Sequence, residues 1–454
     1  MAPPKIIIIG SGLSGLSLSL FLTRLLPTAS IKIYEVRPST HPSTSGTINL
    51  TPNALRVLDH LGIYKSLIPE GFNFDNLTLL NHQFDFLASI PIAGVSEFEY
   101  QSLRIERRIV HSALLRKVLE HQSPIEIIYD SKCERVEESD TTVTVTFTNG
   151  VSDTADILIA CDGIHSTVRK SFVKDPKDFD PRYTGQMSIG GVITKSQIQE
   201  YNVNNNPYPL MMFGPESSTG GNFMIWPYDR SGDQFTFFTT LPKPDEEKDW
   251  KKYTEDKTVL KKIMQETFCS DGSPWNEMVR KTVELSETEG YRFWPFYLHS
   301  IPEKFYSEKA RVIMIGDAAH AMPPSGGQGA AMAFEDSETL AYSLAVAFNN
   351  AGLSNGSNLN INTPQGQNIL SKWSDHRIQR MKAVQEMNKR MSDMRKGSSG
   401  STSGVMFTVK VWAIWLLGLL GVLGRTRRVI NNYDAKKEAA AWLGEEAIAR
   451  YSLE

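Results

Sequence analysis

The sequence predicts an α/β fold: a parallel sheet flanked by helices, an inserted and mainly antiparallel β-sheet domain, and a C-terminal helical region. Three observations carry that expectation. Short β-branched runs end in Gly- or Asp-Gly-containing turns near residues 10, 160 and 316. A block of short apolar strands lies between the second and third of these. Helical patterning then takes over from about Ile369 to Arg395.

Ile6–Ile9 is a continuous β-branched run, too short for a helix and suited to a strand buried on both faces. Gly10-Ser11-Gly12-Leu13-Ser14-Gly15 follows, then a helical stretch marked by Leu16, Leu18, Leu20, Phe21 and Leu25. Ile31–Tyr34 reads as a second strand, closed by Glu35. Strand, Gly-x-Gly-x-x-Gly, helix, strand, acid is the order of a Rossmann-like dinucleotide cradle. Gly10 permits the tight turn, Gly12 lets backbone approach a pyrophosphate, and Gly15 lets the helix pack close to the strand. The helix N-terminus offers unpaired N–H groups to the phosphates. Glu35 is placed to accept hydrogen bonds from ribose hydroxyls and disfavours a 2′-phosphate. These glycines also argue against reading Lys5–Leu26 as a cleaved secretory segment. The cradle alone does not separate FAD from NAD.

The second turn lies in Ala155–Arg169, which contains Asp162-Gly163 and follows Thr142–Thr148, where Val143, Val145 and Phe147 alternate as in a hairpin strand. On its residues alone it is a strand-to-helix turn capped by Ser166. In the third, Arg311–Ile315 ends in Gly316-Asp317, and Pro323-Pro324-Ser325-Gly326-Gly327-Gln328-Gly329 opens a helix of small residues. A carboxylate at a strand's C-terminal edge accepts hydrogen bonds from polyol hydroxyls. Gly326, Gly327 and Gly329 let main-chain N–H groups approach a planar ring.

In this order the three motifs resemble the single-component FAD-dependent monooxygenases, the flavoprotein aromatic hydroxylases typified by para-hydroxybenzoate hydroxylase, over about Lys5 to Arg395. The resemblance implies FAD as cofactor, with Glu35 on the adenosine ribose and Arg107, of an Arg-x-x-Leu-type helix, contacting FAD. Arg108 competes for that role. It implies that Asp162-Gly163 serves FAD and NAD(P)H binding, that Asp317 holds the ribityl chain, and that Gly327, Gln328 and Gly329 lie beside the isoalloxazine. Gly46 and Thr47, in Gly46–Leu50, fall where the family's chain passes along the flavin. NAD(P)H is implied as a transient reductant, and O₂ as co-substrate that forms a C4a-hydroperoxyflavin. The expected reaction is hydroxylation or epoxidation of a small apolar molecule, with aromatic rings among the candidates. The absence of a second Gly-x-Gly-x-x-Gly after a strand fits a nicotinamide that only visits.

No catalytic residue is assigned from sequence; His165 and His320 are read as structural. Two other flavin chemistries stay open: a non-oxygenating dehydrogenase or oxidase, and a halogenase. The halogenase signature Trp-x-Trp-x-Ile-Pro is absent, Ile225-Trp226-Pro227 being the nearest run. Candidate substrate contacts are Met224 and Trp226 on one strand face, Phe238 (or Phe235 and Phe237) on its neighbour, and Pro323, whose proline pair stiffens the flavin loop.

The expected division is a discontinuous FAD-binding domain (1–180 with 290–348), a β-rich substrate domain (181–289), a long helix (369–396), a linker (397–404), and an apolar helix with tail (405–454). Met387, Met391 and Met394 form a stripe on the long helix that reads as core packing. Val405–Gly424 is apolar and followed by Arg425, Arg427 and Arg428. It reads as a packed helix, an interfacial membrane anchor or a span, so a cytoplasmic enzyme with membrane contact there is one of the expectations. Lys plus Arg is 48 against Asp plus Glu 51, which gives no basic footprint for nucleic acid. Cys133, Cys161 and Cys269 are too scattered for a metal or dithiol centre.

Overall fold

The computed structural model describes residues 3–40, 46–120, 125–173, 175, 180–215, 221–244, 250–350, 361–395 and 425–450. The opening run forms Lys5–Ile9, the middle strand of a five-stranded parallel sheet. Its order is Val312–Met314, Ile157–Ala160, Lys5–Ile9, Ser30–Tyr34, Ile125–Ile128. Ile6, Ile7 and Ile8 expose no surface, as a strand covered on both faces requires. The crossover helix Leu13–Leu25 packs on Gly329–Asn350 through small side chains, with Ser17 Oγ 2.9 Å from Ser337 Oγ. An antiparallel layer of Cys133–Glu138, Val143–Phe147 and Ser152–Ala155 turns Val143, Val145 and Phe147 into the same core.

A seven-stranded sheet forms the second layer, in the order Arg292–Leu298, Arg182–Thr194, Gln234–Pro242, Asn222–Pro227, Leu210–Phe213, Asn76–Asn81, Phe86–Pro91. The block of short strands expected between the second and third turns is present, but 76–91 also join this sheet rather than the nucleotide layer. The join is a parallel pairing in which Leu210 sits opposite Thr78. One face packs Phe223, Ile225, Phe235 and Phe237 against helices Lys257–Phe268 and Glu277–Leu285. The other carries Met224, Trp226 and Phe238 with Phe74. Strand alternation therefore selects Phe238, not Phe235 or Phe237, as the partner of Trp226.

A small antiparallel sheet, Thr47–Leu50, Ser102–Glu106 and Phe72–Phe74, bridges the two layers. Ile48, Leu50, Leu103 and Ile105 enter the nucleotide-side core. By the same alternation, Asn49, Ser102 and Arg104 face the opposite way.

The long helix runs Pro364–Arg395, starting a turn earlier than expected because proline is tolerated at a first helical position. Met387 is buried with Met332, Met381 and Val384; the side chains of Met391 and Met394 lie outside the described residues. So do 397–404 and the apolar segment 405–424. Among the described residues no helix is long and apolar enough to cross a membrane. Arg425–Asn431, Ala435–Leu443 and Glu445–Ala449 are the last helices among the described residues.

Candidate functional site

The first motif folds as a dinucleotide cradle. Gly10 takes φ +103°, and a Cβ there would stand 2.4 Å from the Cys161 carbonyl oxygen. A Cβ on Gly15 would stand 2.0 Å from the Gly10 carbonyl oxygen, so the helix can start this close to the turn only with glycine. At Gly12 a Cβ would meet nothing within 4 Å. Two glycines are thus required by packing, while the third faces open space of the kind a pyrophosphate fills.

Glu35 is buried beside this turn. Its Oε2 accepts from Ser11 N at 2.8 Å and Ser11 Oγ at 2.7 Å, and its Oε1 accepts from Arg37 N at 3.0 Å. Burial pushes the carboxyl up, but these hydrogen bonds outweigh it and hold Glu35 below its ordinary value. A carboxylate kept ionised at the end of the second strand fits a ribose acceptor.

Arg107 begins the helix Arg107–Glu120, and its N–H donates to Gly46 O at 2.9 Å, which ties the second half of the cradle to the small sheet. Burial lowers its guanidinium pKa, opposed by the charge of Asp317. It has no ion-pair partner within 4 Å among the described residues. Arg108 instead points outward onto Glu106, at 2.5 and 2.9 Å, so the pair divides into one inward and one surface arginine. Asp317 is exposed at the start of the turn Asp317–His320, where Gly316 takes φ +60°. An inward cation without a partner near an uncovered carboxylate fits FAD, which brings phosphates for the first and hydroxyls for the second.

Asp162 folds back on its own turn, accepting from Thr167 N at 2.9 Å and Val168 N at 3.3 Å, while its Oδ1 is buried with no partner. Burial raises its pKa against those bonds. Arg169, quoted in the sequence without a role, proves to be the tie between the second and third motifs. It is fully buried and donates to the carbonyls of Ala318 (3.2 Å), Ala319 (2.9 Å) and Ser300 (2.8 Å). An arginine three residues after a Ser cap was the available signal.

The flavin-loop residues divide as well. Gly327 takes φ +67° and closes the turn Pro324–Gly326. Gln328 turns its side chain inward, 2% exposed, rather than outward. It accepts from Asn53 Nδ2 at 3.1 Å and donates to Asn431 Oδ1 at 3.1 Å. Asn431 Nδ2 in turn donates to Ile92 O at 2.7 Å. Pro323 is half-buried on the loop. Gly46 takes φ +112°, and its Cβ position lies 3.0 Å from Trp294.

Behind the loop is a buried charge network that sequence reasoning missed. Asp336 accepts from Gly316 N (2.8 Å), His320 Nε2 (2.6 Å) and Arg377 Nε (2.7 Å). Glu335 accepts from Arg377 (3.0 Å), Arg380 (2.8 Å) and Asn53 (2.7 Å). Burial pushes both carboxyls up. Arg380 and Arg377 around Glu335, and His320 and Arg377 around Asp336, outweigh it and hold both below the usual range. Arg377 Nη1 also bonds Tyr433 Oη at 3.0 Å. His320 is therefore a structural ligand of Asp336. His165 is exposed, edge-on to Tyr297.

Residues 4–355 match the family described as "FAD binding domain". The 3-amino-4-hydroxybenzoate 2-monooxygenase of Streptomyces cremeus is 27% identical over 338 residues, 74% of this chain and 77% of that protein. The 6-hydroxynicotinate 3-monooxygenase of Pseudomonas fluorescens is 26% identical over 346 residues, 75% of this chain and 82% of that protein. Among solved structures, a salicylate hydroxylase substrate complex superposes with a TM-score of 0.72 at 19% identity, covering 96% of this chain and 97% of that one.

Proposed function

The chain belongs to the FAD-binding-domain family, and from that premise we propose that it is an NAD(P)H-dependent FAD monooxygenase that hydroxylates a small aromatic molecule. The observation that carries the reading is the meeting of two things in one place. One is a cradle with the donors and acceptors of a dinucleotide site; the other is the aromatic pair Trp226 and Phe238 under Arg104, whose ladder neighbour Asn49 comes near Gly327 of the flavin loop. The relatives named above act, by their names, on hydroxybenzoate- and nicotinate-type rings.

Bound FAD would supply the electron storage and O₂ activation that protein side chains lack. The chain's own residues do the rest. Gly12 would admit the pyrophosphate to the helix N-terminus, Glu35 would take the ribose hydroxyls, and Arg107 would neutralise phosphate charge. Asp317 would hold the polyol chain, and the backbone of Gly327–Gly329 would offer N–H groups to the ring. Asp162-Gly163, braced by Arg169 against Ala318 and Ala319, fixes the distance between the second motif and the loop. Trp226 and Phe238 stack on an aromatic substrate and exclude water, with Met224 behind them. Membrane contact forms no part of this reading.

The test is direct. FAD-loaded protein is mixed with NADH or NADPH, O₂ and a panel of aromatic compounds, and product masses are measured. A gain of about 16 mass units with matched NAD(P)H and O₂ consumption supports the proposal. Loss of two hydrogens, or chloride incorporation, replaces it with a dehydrogenase or halogenase.

A further inference from the structure

Arg104 stands where the polar face of the small sheet meets the aromatic face of the large one. Its guanidinium lies 5.2 Å from the Trp226 ring centroid and 5.7 Å from that of Phe238. Its hydrogen bond to the described residues is a long one, from Nη2 to Thr236 Oγ1 at 3.4 Å. Its Nε is buried with no acceptor, and no carboxylate of the described residues lies within ion-pair distance. The treatment of other buried arginines is different. Arg169 is given three carbonyls, and Arg377 and Arg380 are given two carboxylates between them.

Three more buried polar atoms around Arg104 are also without partners. Asn49 Oδ1 belongs to the residue directly across the strand ladder, Ser102 Oγ lies two residues along the same face, and Trp226 Nε1 is in the ring under the guanidinium. Buried polar groups in folded proteins are nearly always bonded. Four exceptions at one interface mark a place where another molecule completes the bonds. The Asn49 side chain also comes within 3.9 Å of the Cβ position of Gly327, so this place adjoins the flavin loop. Burial pushes Arg104 down to about 10, which leaves it charged at neutral pH. A desolvated cation with aromatic walls and no anion of its own selects an anion.

We infer that Arg104 is the specificity-determining residue of the substrate pocket, fixing an anionic oxygen, carboxylate or phenolate, on a ring stacked against Trp226 and Phe238. The inference rests on the monooxygenase reading and sharpens it, because it turns an apolar aromatic substrate into an aromatic anion. Arg104 immobilises the charged end of the ring, and it takes no proton in the reaction.

The experiment is a binding titration of the FAD-loaded full chain with benzoate, 4-nitrophenolate and neutral benzamide, read by perturbation of the flavin absorbance. The wild type should bind at least one anion about tenfold tighter than benzamide, the scale of a charge-assisted hydrogen bond. The anion preferred says which oxygen the site takes. Arg104→Met should remove the preference with little change for benzamide and for FAD affinity. Arg104→Lys should keep part of it, because it keeps charge but not the planar fork. If Arg104→Met does not fold, Arg104→Gln reads the same loss. The inference is overturned if the wild type does not discriminate, or if Arg104→Met binds the anions as before, which would mean that water completes the site. It is also overturned if that variant weakens FAD itself, which would make a flavin carbonyl the acceptor. Failure of the monooxygenase reading would show elsewhere, as a chain that does not bind FAD or whose bound FAD is not reduced by NAD(P)H.

Discussion

Replacing Arg377 with methionine should cost about 3–5 kcal/mol of unfolding free energy, the scale of a broken buried ion pair. The loss should also shrink in acid. Arg377 exposes no surface and holds two carboxylates at once, Asp336 at 2.7 Å and Glu335 at 3.0 Å. Methionine fills much of the space but donates nothing. Asp336 is then left with His320 and a backbone N–H, and Glu335 with Arg380 and Asn53. In the wild type both carboxyls titrate below their ordinary values. Their contribution is complete above the unfolded carboxylate pKa of about 4 and is lost as pH falls through the folded values. In the variant each carboxyl loses one positive partner and keeps the other, Arg380 at Glu335 and His320 at Asp336, so its folded value rises part of the way toward the ordinary one. The variant therefore has less carboxylate stabilisation to lose as pH falls, and the deficit against wild type should be larger at about pH 7 than at about pH 3. Urea unfolding of both proteins at the two pH values, at one fixed FAD concentration, measures it. A deficit below about 1 kcal/mol, or one of equal size at both pH values, would refute the reasoning.

Two further predictions test the cradle. In Gly15→Ala the new methyl would lie 2.0 Å from a backbone oxygen that cannot rotate away, so the helix must move off the turn. FAD affinity, read by flavin fluorescence quenching, should fall by about a hundredfold, and binding near the wild-type level would count against the cradle geometry. Arg169→Met leaves the carbonyls of Ala318, Ala319 and Ser300 without their donor. At about 1–3 kcal/mol for each group left unsatisfied, amide hydrogen exchange across residues 316–322 should accelerate at least tenfold, and unchanged exchange would mean that the arginine does not brace the loop.

The parts of this structure that were legible in the sequence are those encoded by local geometry. Ile6–Glu35 declares itself because a buried parallel strand needs a β-branched run and a tight phosphate turn needs glycine at fixed offsets. Asp317 and the Gly326–Gly329 loop could be placed for the same reason. What escaped depends on pairing across long sequence distances. Nothing local to Asn76–Asn81 says that it will lie beside Leu210–Phe213, and so the substrate sheet is larger than expected. The helix after Gly329 reads from sequence as one of small residues, and nothing local sets its acids apart. A signal was present, however: Glu335, Asp336 and Glu338 sit within a run that is otherwise buried, and buried acids require partners. Arg377 and Arg380, one turn apart on the next helix, were the natural candidates. Arg104 was hidden by its neighbours Arg107 and Arg108, because sequence shows a cluster of bases but not which of them lacks an acid.

Asn431 has a consequence for how the protein is made. It bonds Gln328 across 103 residues of chain, and Tyr433 reaches Arg377 across 56. At ribosomal speeds of about 5–20 residues per second, the flavin loop emerges roughly 5–20 seconds before the residue that anchors it. During that interval the nucleotide turn near Gly10 is already complete, while the loop that would face the ring has one end untied. The loop thus takes its final tie only once Asn431 has emerged. A nonsense mutation between Arg395 and Asn431 would leave a product that keeps every recognisable motif and still lacks the Asn431 anchor of the loop.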